Sequence, residues 1–162
     1  MEHYEKYPAW WVLGQNLIFI VYFSVGTILL SSVRISNFPI LSTIYALFLI
    51  VMLAFVLRKH LCTNCYYYDK RCSTGWGKWA AFLFKKGSGN YELGIKLAGF
   101  TWGIGVGIPL IFPFLMIFWK HEFRLLPLWI LFILLTFIVM FWHKKSCRRC
   151  KMSDSCPASM AH

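Results

Sequence analysis

Six cysteines fall into two groups, Cys62, Cys65 and Cys72 spaced C-x2-C-x6-C, and Cys147, Cys150 and Cys156 spaced C-x2-C-x5-C. A C-x2-C pair lets one tight turn aim two thiolates at a single ion, so this spacing points to metal ligation. Zinc is the simplest ion, because it takes sulfur and nitrogen ligands tetrahedrally. Two arrangements fit. In one, each group is completed by a histidine, His60 for the first and His143 for the second. In the other, Cys62, Cys65, Cys147 and Cys150 build a single all-cysteine site, with Cys72 and Cys156 as neighbours. Lys70 and Arg71 in the first group, and Arg148, Arg149 and Lys151 in the second, are expected to favour the thiolate form.

The two groups are copies in spacing, since the second follows the first at offsets of 85, 85 and 84 residues, and Gly14 and Gly99 also stand 85 apart. Each group follows a basic exit, Arg58-Lys59-His60 or His143-Lys144-Lys145, and each exit follows an apolar hairpin. The chain therefore reads as a tandem duplication. Residues 1–97 form a first hairpin with its cysteine-rich loop, and residues 98–162 a second hairpin with a cysteine-rich tail. An even number of spans per copy relates the copies by a pseudo-two-fold axis along the membrane normal.

The hairpins are membrane-spanning by composition. Of 162 residues, 59% are apolar and only 14% charged, with mean hydropathy +0.58, whereas soluble domains keep about a quarter of their residues charged. The apolar residues concentrate in blocks 12–30, 40–57, 100–118 and 125–141, none of which contains Asp, Glu, Lys, Arg or His. Each block has about the ~17–25 residues a helix needs to cross the hydrocarbon core. The expected fold is thus all-α and integral to the membrane, with four transmembrane helices, a cysteine-rich loop and a cysteine-rich tail.

Charge sets the orientation. Fourteen of the seventeen Lys and Arg residues lie before the first block, in the loop between blocks two and three, or in the tail; only Arg34, Lys120 and Arg124 lie on the other side. The positive-inside rule puts both termini and both cysteine groups in the cytosol of a multi-pass cell-membrane protein. That bias accounts for the net charge of +11, so nucleic acid is set aside as a partner; anionic lipids at the cytosolic face are the expected partner of these charges. The acidic N-terminus is followed by no small-residue cleavage site, so the first block is not expected to be a removable signal. Trp10, Trp11 and Trp142 at one interface, and Trp119 and Trp129 at the other, read as an aromatic belt.

Cytosolic thiols are kept reduced, which favours metal binding or redox chemistry over structural disulfides. Cys156-Pro157 resembles the Cys-Pro that ends ferredoxin cluster motifs, which makes an iron–sulfur cluster the alternative cofactor. Four spans with cysteine pairs at the membrane surface also resemble the bacterial quinone-linked disulfide oxidase, whose pairs lie on the oxidising side. Soft-ion handling is a further alternative, since thiolates select copper(I), zinc or mercury-like ions. It differs from the small mercuric-ion membrane proteins, which keep one cysteine pair within a span.

Three other features carry expectations. Gly99, Gly103 and Gly107 recur every four residues as a helix-packing seam, within the bundle or in a homodimer; Pro109 and Pro113 follow and should kink that helix. Residues 76–86 suit a short interfacial helix with Trp76, Trp79, Ala80 and Leu83 facing lipid, Gly87 ending it, and a flexible turn at Ser88-Gly89-Asn90. Gln15, Asn16, Thr27, Thr43, Thr101 and Thr136 are expected as interhelical hydrogen-bonding glue. All six acids, Glu2, Glu5, Asp69, Glu92, Glu122 and Asp154, fall outside the blocks. A coupled transporter needs ionisable groups at membrane depth. The expected function is therefore a structural, regulatory or partner-binding module with a zinc-bound cap that docks a soluble protein, more a binding protein than an enzyme.

Overall fold

The structure is a computed structural model that describes residues 3–32, 38–154, 156, 159 and 160; Glu2, Arg34 and Pro157 lie outside them. The described residues are all-helical, with no strand beyond an isolated bridge between Tyr4 and Cys150. The main elements are α1 (Ala9–Leu30), α2 (Ile40–Val51), α3 (Leu57–His60), α4 (Trp76–Leu83), α5 (Tyr91–Trp119) and α6 (Leu126–Arg148). A π-helical turn, Met52–Val56, joins α2 to α3 into one continuous rod. This rod, α1, α5 and the helical stretch Phe123–Arg148 are four helices long and apolar enough to cross a membrane. At the cysteine end the helices outrun their apolar blocks: α5 starts at Tyr91 and α6 continues to Arg148, so Cys147 sits in its last turn.

α1 is the centre of the bundle, packing on α2, α5 and α6. Phe19, Tyr22, Val25 and Leu29 of α1 form one buried cluster with Phe132 and Val139 of α6, and Tyr22 stacks on Phe132 at 4.7 Å between centroids. Large apolar side chains such as Ile20, Ile44, Leu47, Phe137 and Phe141 point outward, as suits a lipid-facing surface. In lipid the helices gain little from apolar burial alone, so close packing and internal hydrogen bonds hold the bundle.

The three glycines of α5 do not pack against another helix of the same chain. A Cβ at Gly99, Gly103 or Gly107 would meet nothing within 4 Å, so these residues make no seam within the bundle. The inward face of α5 carries Gly94, Thr101, Gly105, Pro109 and Pro113 instead. The close approach to α1 is made at Gly26, where a Cβ would stand 3.1 Å from both the Phe132 ring and the Tyr45 hydroxyl.

Both prolines sit inside an unbroken α5, and at Pro109 a neighbour supplies the donor that the ring removes. Pro109 has no N–H for the Gly105 carbonyl, and the buried Tyr45 hydroxyl donates to that carbonyl at 2.7 Å. Trp129 donates to the Leu110 carbonyl at 3.0 Å, so it is a packing residue as well as a belt tryptophan. Tyr45→Phe should lower stability in detergent by about 1–3 kcal/mol, the range for stranding a buried acceptor. A thermal-unfolding shift within error of zero would reject this account of Pro109.

Of the expected interhelical glue, four threonines mainly bond back to their own helix: Thr27 to Phe23, Thr43 to Pro39, Thr101 to Leu97 and Thr136 to Phe132. A threonine on a helix reaches the carbonyl four residues earlier most easily. Only Thr136 also reaches across, to Tyr22. Gln15 and Asn16 do link elements, to Ser146 and to the Thr74 carbonyl.

Candidate metal centre

Each C-x2-C pair is closed by the same local bond, Cys65 N–H to Cys62 C=O at 3.3 Å and Cys150 N–H to Cys147 C=O at 3.0 Å. The correspondence extends further. Asn64 donates to Leu61 and Arg149 to Ser146; Tyr68 donates to Cys65 and Ser153 to Cys150; Gly75 donates to Cys72 and Ser159 to Cys156. The first two of these pairs, like the C-x2-C pair, stand 85 residues apart and the last 84, the same offsets that relate the cysteines. The same short-range hydrogen bonds thus occur around both groups, although the first group leaves a 3-10 turn (Cys62–Asn64) and the second an α-helix.

Both groups gather at one end of the bundle. Within each group every thiol lies in electrostatic range of the other two, and Cys65 also feels Cys150 from the other group. Cys65, Cys72 and Cys150 pack around one buried cluster of Tyr7, Trp11 and Tyr67. Cys65 Sγ contacts Met152 Sδ at 3.5 Å, and the Tyr91 hydroxyl reaches Cys156 Sγ at 3.9 Å. Among the described residues no three His, Cys, Asp or Glu side chains converge closely enough to hold an ion. The thiols are neighbours that have not closed on a common point.

The N-terminal segment ties the two groups together. Tyr4 N–H donates to the Arg149 carbonyl at 3.0 Å and Tyr7 N–H to the Arg71 carbonyl at 2.9 Å. The Tyr7 hydroxyl donates to the Ser146 carbonyl at 2.7 Å, and the Tyr67 hydroxyl to the Tyr4 carbonyl at 2.5 Å. Trp11, an expected belt residue, is buried here and donates to Ser146 Oγ at 3.2 Å. Trp142 stacks obliquely on it at 5.3 Å. Both serve the cap core, whereas Trp10 and Trp119 are exposed.

The basic neighbours do not activate the thiols. Lys70 lies over the Tyr66 ring, Arg149 bonds the Tyr4 hydroxyl at 2.8 Å, and Lys151 pairs with Glu5 at 2.6 Å. Burial pushes the Cys65 thiol up to about 12 and raises Cys150 as well. A sulfur packed among aromatic rings loses the hydration that a thiolate needs.

The two histidines have different fates. His60 accepts the Asn90 amide at Nδ1, 3.1 Å away, and so helps hold the start of α5. His143 Nε2 stands 3.6 Å from Cys147 Sγ, one turn earlier on α6. The position 85 residues before His143 is Arg58, also one turn before its cysteine, and Arg58 Nη1 donates to Cys62 Sγ at 3.2 Å. The offset that pairs the cysteines pairs these two side chains as well; reading the exits as equally basic runs concealed it.

Arg58 also bonds the π turn that joins α2 to α3. The extra residue frees carbonyls in Met52–Val56; Arg58 Nε takes Leu53 at 2.6 Å and the Trp79 indole takes Ala54 at 3.0 Å. Helix α4 therefore docks on the protein more than on lipid. Gly77 and Ala80 are buried and Trp76 lies beneath the Arg58 guanidinium, 3.2 Å from its ring centroid. Trp79 and Phe82 face outward, with Leu83 half-buried. The helix stops at Leu83, and Gly87, at φ 73°, turns the chain so that its N–H meets the Thr63 carbonyl at 3.0 Å. The segment expected to be a flexible turn is anchored: Asn64 donates to the Gly89 carbonyl and Asn90 caps α5.

Comparison of the chain with protein-family models, with curated proteins and with solved structures found no match.

Proposed function

We propose that this chain is a cell-membrane protein of two tandem hairpins whose termini and cysteine groups face the cytosol, and whose cysteine cap is a metal–thiolate module, zinc being the expected ion. The observation that carries this reading is the recurrence of the turn hydrogen bonds around two cysteine groups 85 residues apart, gathered at one end of the bundle. Thiols arranged by duplication onto the same turns have a shared geometric task, and in a reducing compartment that task is ligation. With the four apolar blocks free of acids and bases, the module is structural or regulatory, and its cap is the surface a soluble partner would meet.

The direct test is metal analysis of the purified chain. One or two zinc ions per chain are expected, with Cys62→Ser and Cys147→Ser each removing metal and lowering stability alike. Because the free thiols are held protonated, binding releases protons and tightens as pH rises. Protein that holds no metal when purified, and takes up none of added zinc or iron under reducing conditions, would reject the module. Iron with sulfide absorption would shift it to electron transfer.

A second reading, dithiol oxidation by a membrane quinone, is favoured by one feature. An apolar groove of about 640 Å³ runs between α1 and α2, lined by Phe19, Phe23, Leu49 and Leu53, and ends at Trp76. A quinone ring there would stand one side chain from Arg58 and Cys62. Two thiols would become a disulfide as the quinone takes two electrons and two protons; a fall of two thiols after anaerobic addition of a short-chain quinone to metal-free protein distinguishes this chemistry.

A further inference from the structure

The groove between α1 and α2 opens sideways, because Ile20, Ile28 and Ile50, which line it, are exposed on the outside of the bundle. In a bilayer that surface faces hydrocarbon, so whatever enters is lipid-soluble. A volume of about 640 Å³ is within the range of pockets that hold small ligands. At one end of the groove a polar side chain, Asn16, stands beside two aromatic rings, Phe19 and Trp76, 5.9 Å apart.

Both amide protons of Asn16 are spent, on the Val12 carbonyl at 2.7 Å and the Thr74 carbonyl at 2.9 Å. Two carbonyl partners fix which way the amide points. The group left for the groove is Oδ1, and among the described residues nothing donates to it. It is not one of the fully buried atoms that lack a partner, so a ligand can reach it. Thr27, farther along the groove, is satisfied by its own helix at Phe23. An acceptor turned toward hydrocarbon without a donor is costly, and a lipid that brings a hydroxyl to this level removes that cost.

The rings narrow the choice of lipid. The Arg58 guanidinium lies over Trp76 at 3.2 Å from the ring centroid and draws charge from its π-system, which suits an electron-rich ring as neighbour. A quinol supplies both the hydroxyl donor and the electron-rich ring. Its oxidised form supplies neither, since quinone oxygens are acceptors like Oδ1 and the quinone ring is electron-poor.

We infer that this groove is a binding site for a membrane quinol, whose hydroxyl donates to Asn16 Oδ1 beside Trp76. The inference rests on the quinone reading above and deepens it by naming the form that is held and the side chain that holds it. Tighter binding of the reduced form poises a bound couple toward reduction, the direction in which the thiols would drive it.

The experiment titrates the full chain in detergent by calorimetry, against empty micelles, with redox-inert probes: para-heptylphenol, its methyl ether, and dodecanol. Saturable binding of the phenol is expected, about tenfold or more tighter than the ether, which lacks the donor, and than dodecanol, which lacks the ring. Asn16→Leu should make phenol and ether bind alike. Ala46→Phe, which fills the groove from α2, should abolish binding and leave thermal unfolding close to the parent's. Should Asn16→Leu fail to fold, the comparison of probes on the parent chain and Ala46→Phe still decide. No saturable binding, equal binding of phenol and ether, dodecanol equal to the phenol, or a phenol preference kept in Asn16→Leu or lost instead in Ser24→Ala each overturns the inference. None of these probes exchanges electrons with a thiol, so its failure is separate from failure of the quinone reading, which is read from the thiol count after quinone addition.

Discussion

Gly77→Ala should unseat α4 from the first cysteine loop and cause a large loss of stability. The ideal Cβ at Gly77 points into the backbone carbonyls of Tyr67 and Lys70, with no flexible side chain to give way. The Asp69 N–H to Gly77 C=O bond of 3.1 Å clamps the same two segments. Overpacking typically costs about 1–3 kcal/mol and more where the backbone must move, so a loss of 3 kcal/mol or more is expected here. The consequence extends beyond stability. α4 carries Trp76, the platform for Arg58, and Trp79, which caps the π turn through Ala54. Thermal unfolding in detergent should show the loss, and limited proteolysis should open the chain between Lys70 and Lys86. A variant as stable as the parent would mean that α4 does not dock as described.

Tyr7→Ala is the second large effect. Tyr7 is 1% exposed, touches Tyr4, Trp11 and Tyr67, and bonds both cysteine segments, through its N–H to Arg71 and its hydroxyl to Ser146. Removing a buried aromatic ring typically costs about 3–5 kcal/mol. Tyr7→Phe removes only the hydroxyl, which leaves Ser146 C=O short of a donor, and should cost about 1 kcal/mol. The ratio between the two variants is the informative quantity. In the alanine variant, labelling of Cys65 and Cys150 by iodoacetamide at pH 8 should accelerate, because opening the cap rehydrates thiols whose acidity burial had suppressed. Unchanged labelling alongside lost stability would show that Tyr7 holds the bundle without shielding the sulfurs.

The bundle was legible in the sequence because four charge-free blocks of span length leave the chain few alternatives, and the repeated cysteine spacing did foreshadow repeated turns. The cap was less legible. Arg58 reads as one more basic residue at a membrane exit until its guanidinium is seen lying on Trp76 with Cys62 at its tip. Tyr4 and Tyr7 sit in a short polar segment with no periodicity, and only the fold brings them to Ser146 and Arg149. Helix α5 shows why the sequence did not say which stripe of small residues packs within the chain. It carries two stripes of four-residue period, Gly99-Gly103-Gly107 and Thr101-Gly105-Pro109-Pro113; small residues permit close approach, but their spacing does not say which stripe a neighbour meets. The same holds for α4, whose amphipathic pattern specifies an apolar face and is silent on whether lipid or Arg58 covers it.

The N-terminal segment that joins the two cysteine groups has a consequence for how the protein is made. Tyr4 and Tyr7 are synthesised some 140 residues before Ser146 and Arg149, which they bind. At synthesis rates of about 5–20 residues per second, the segment waits on the order of ten seconds for its partners. Nearly all the length of the four long apolar helices has been made before the ring can close. The cap is thereby a late seal: a chain truncated before residue 146 cannot fasten the segment around Tyr4 and Tyr7.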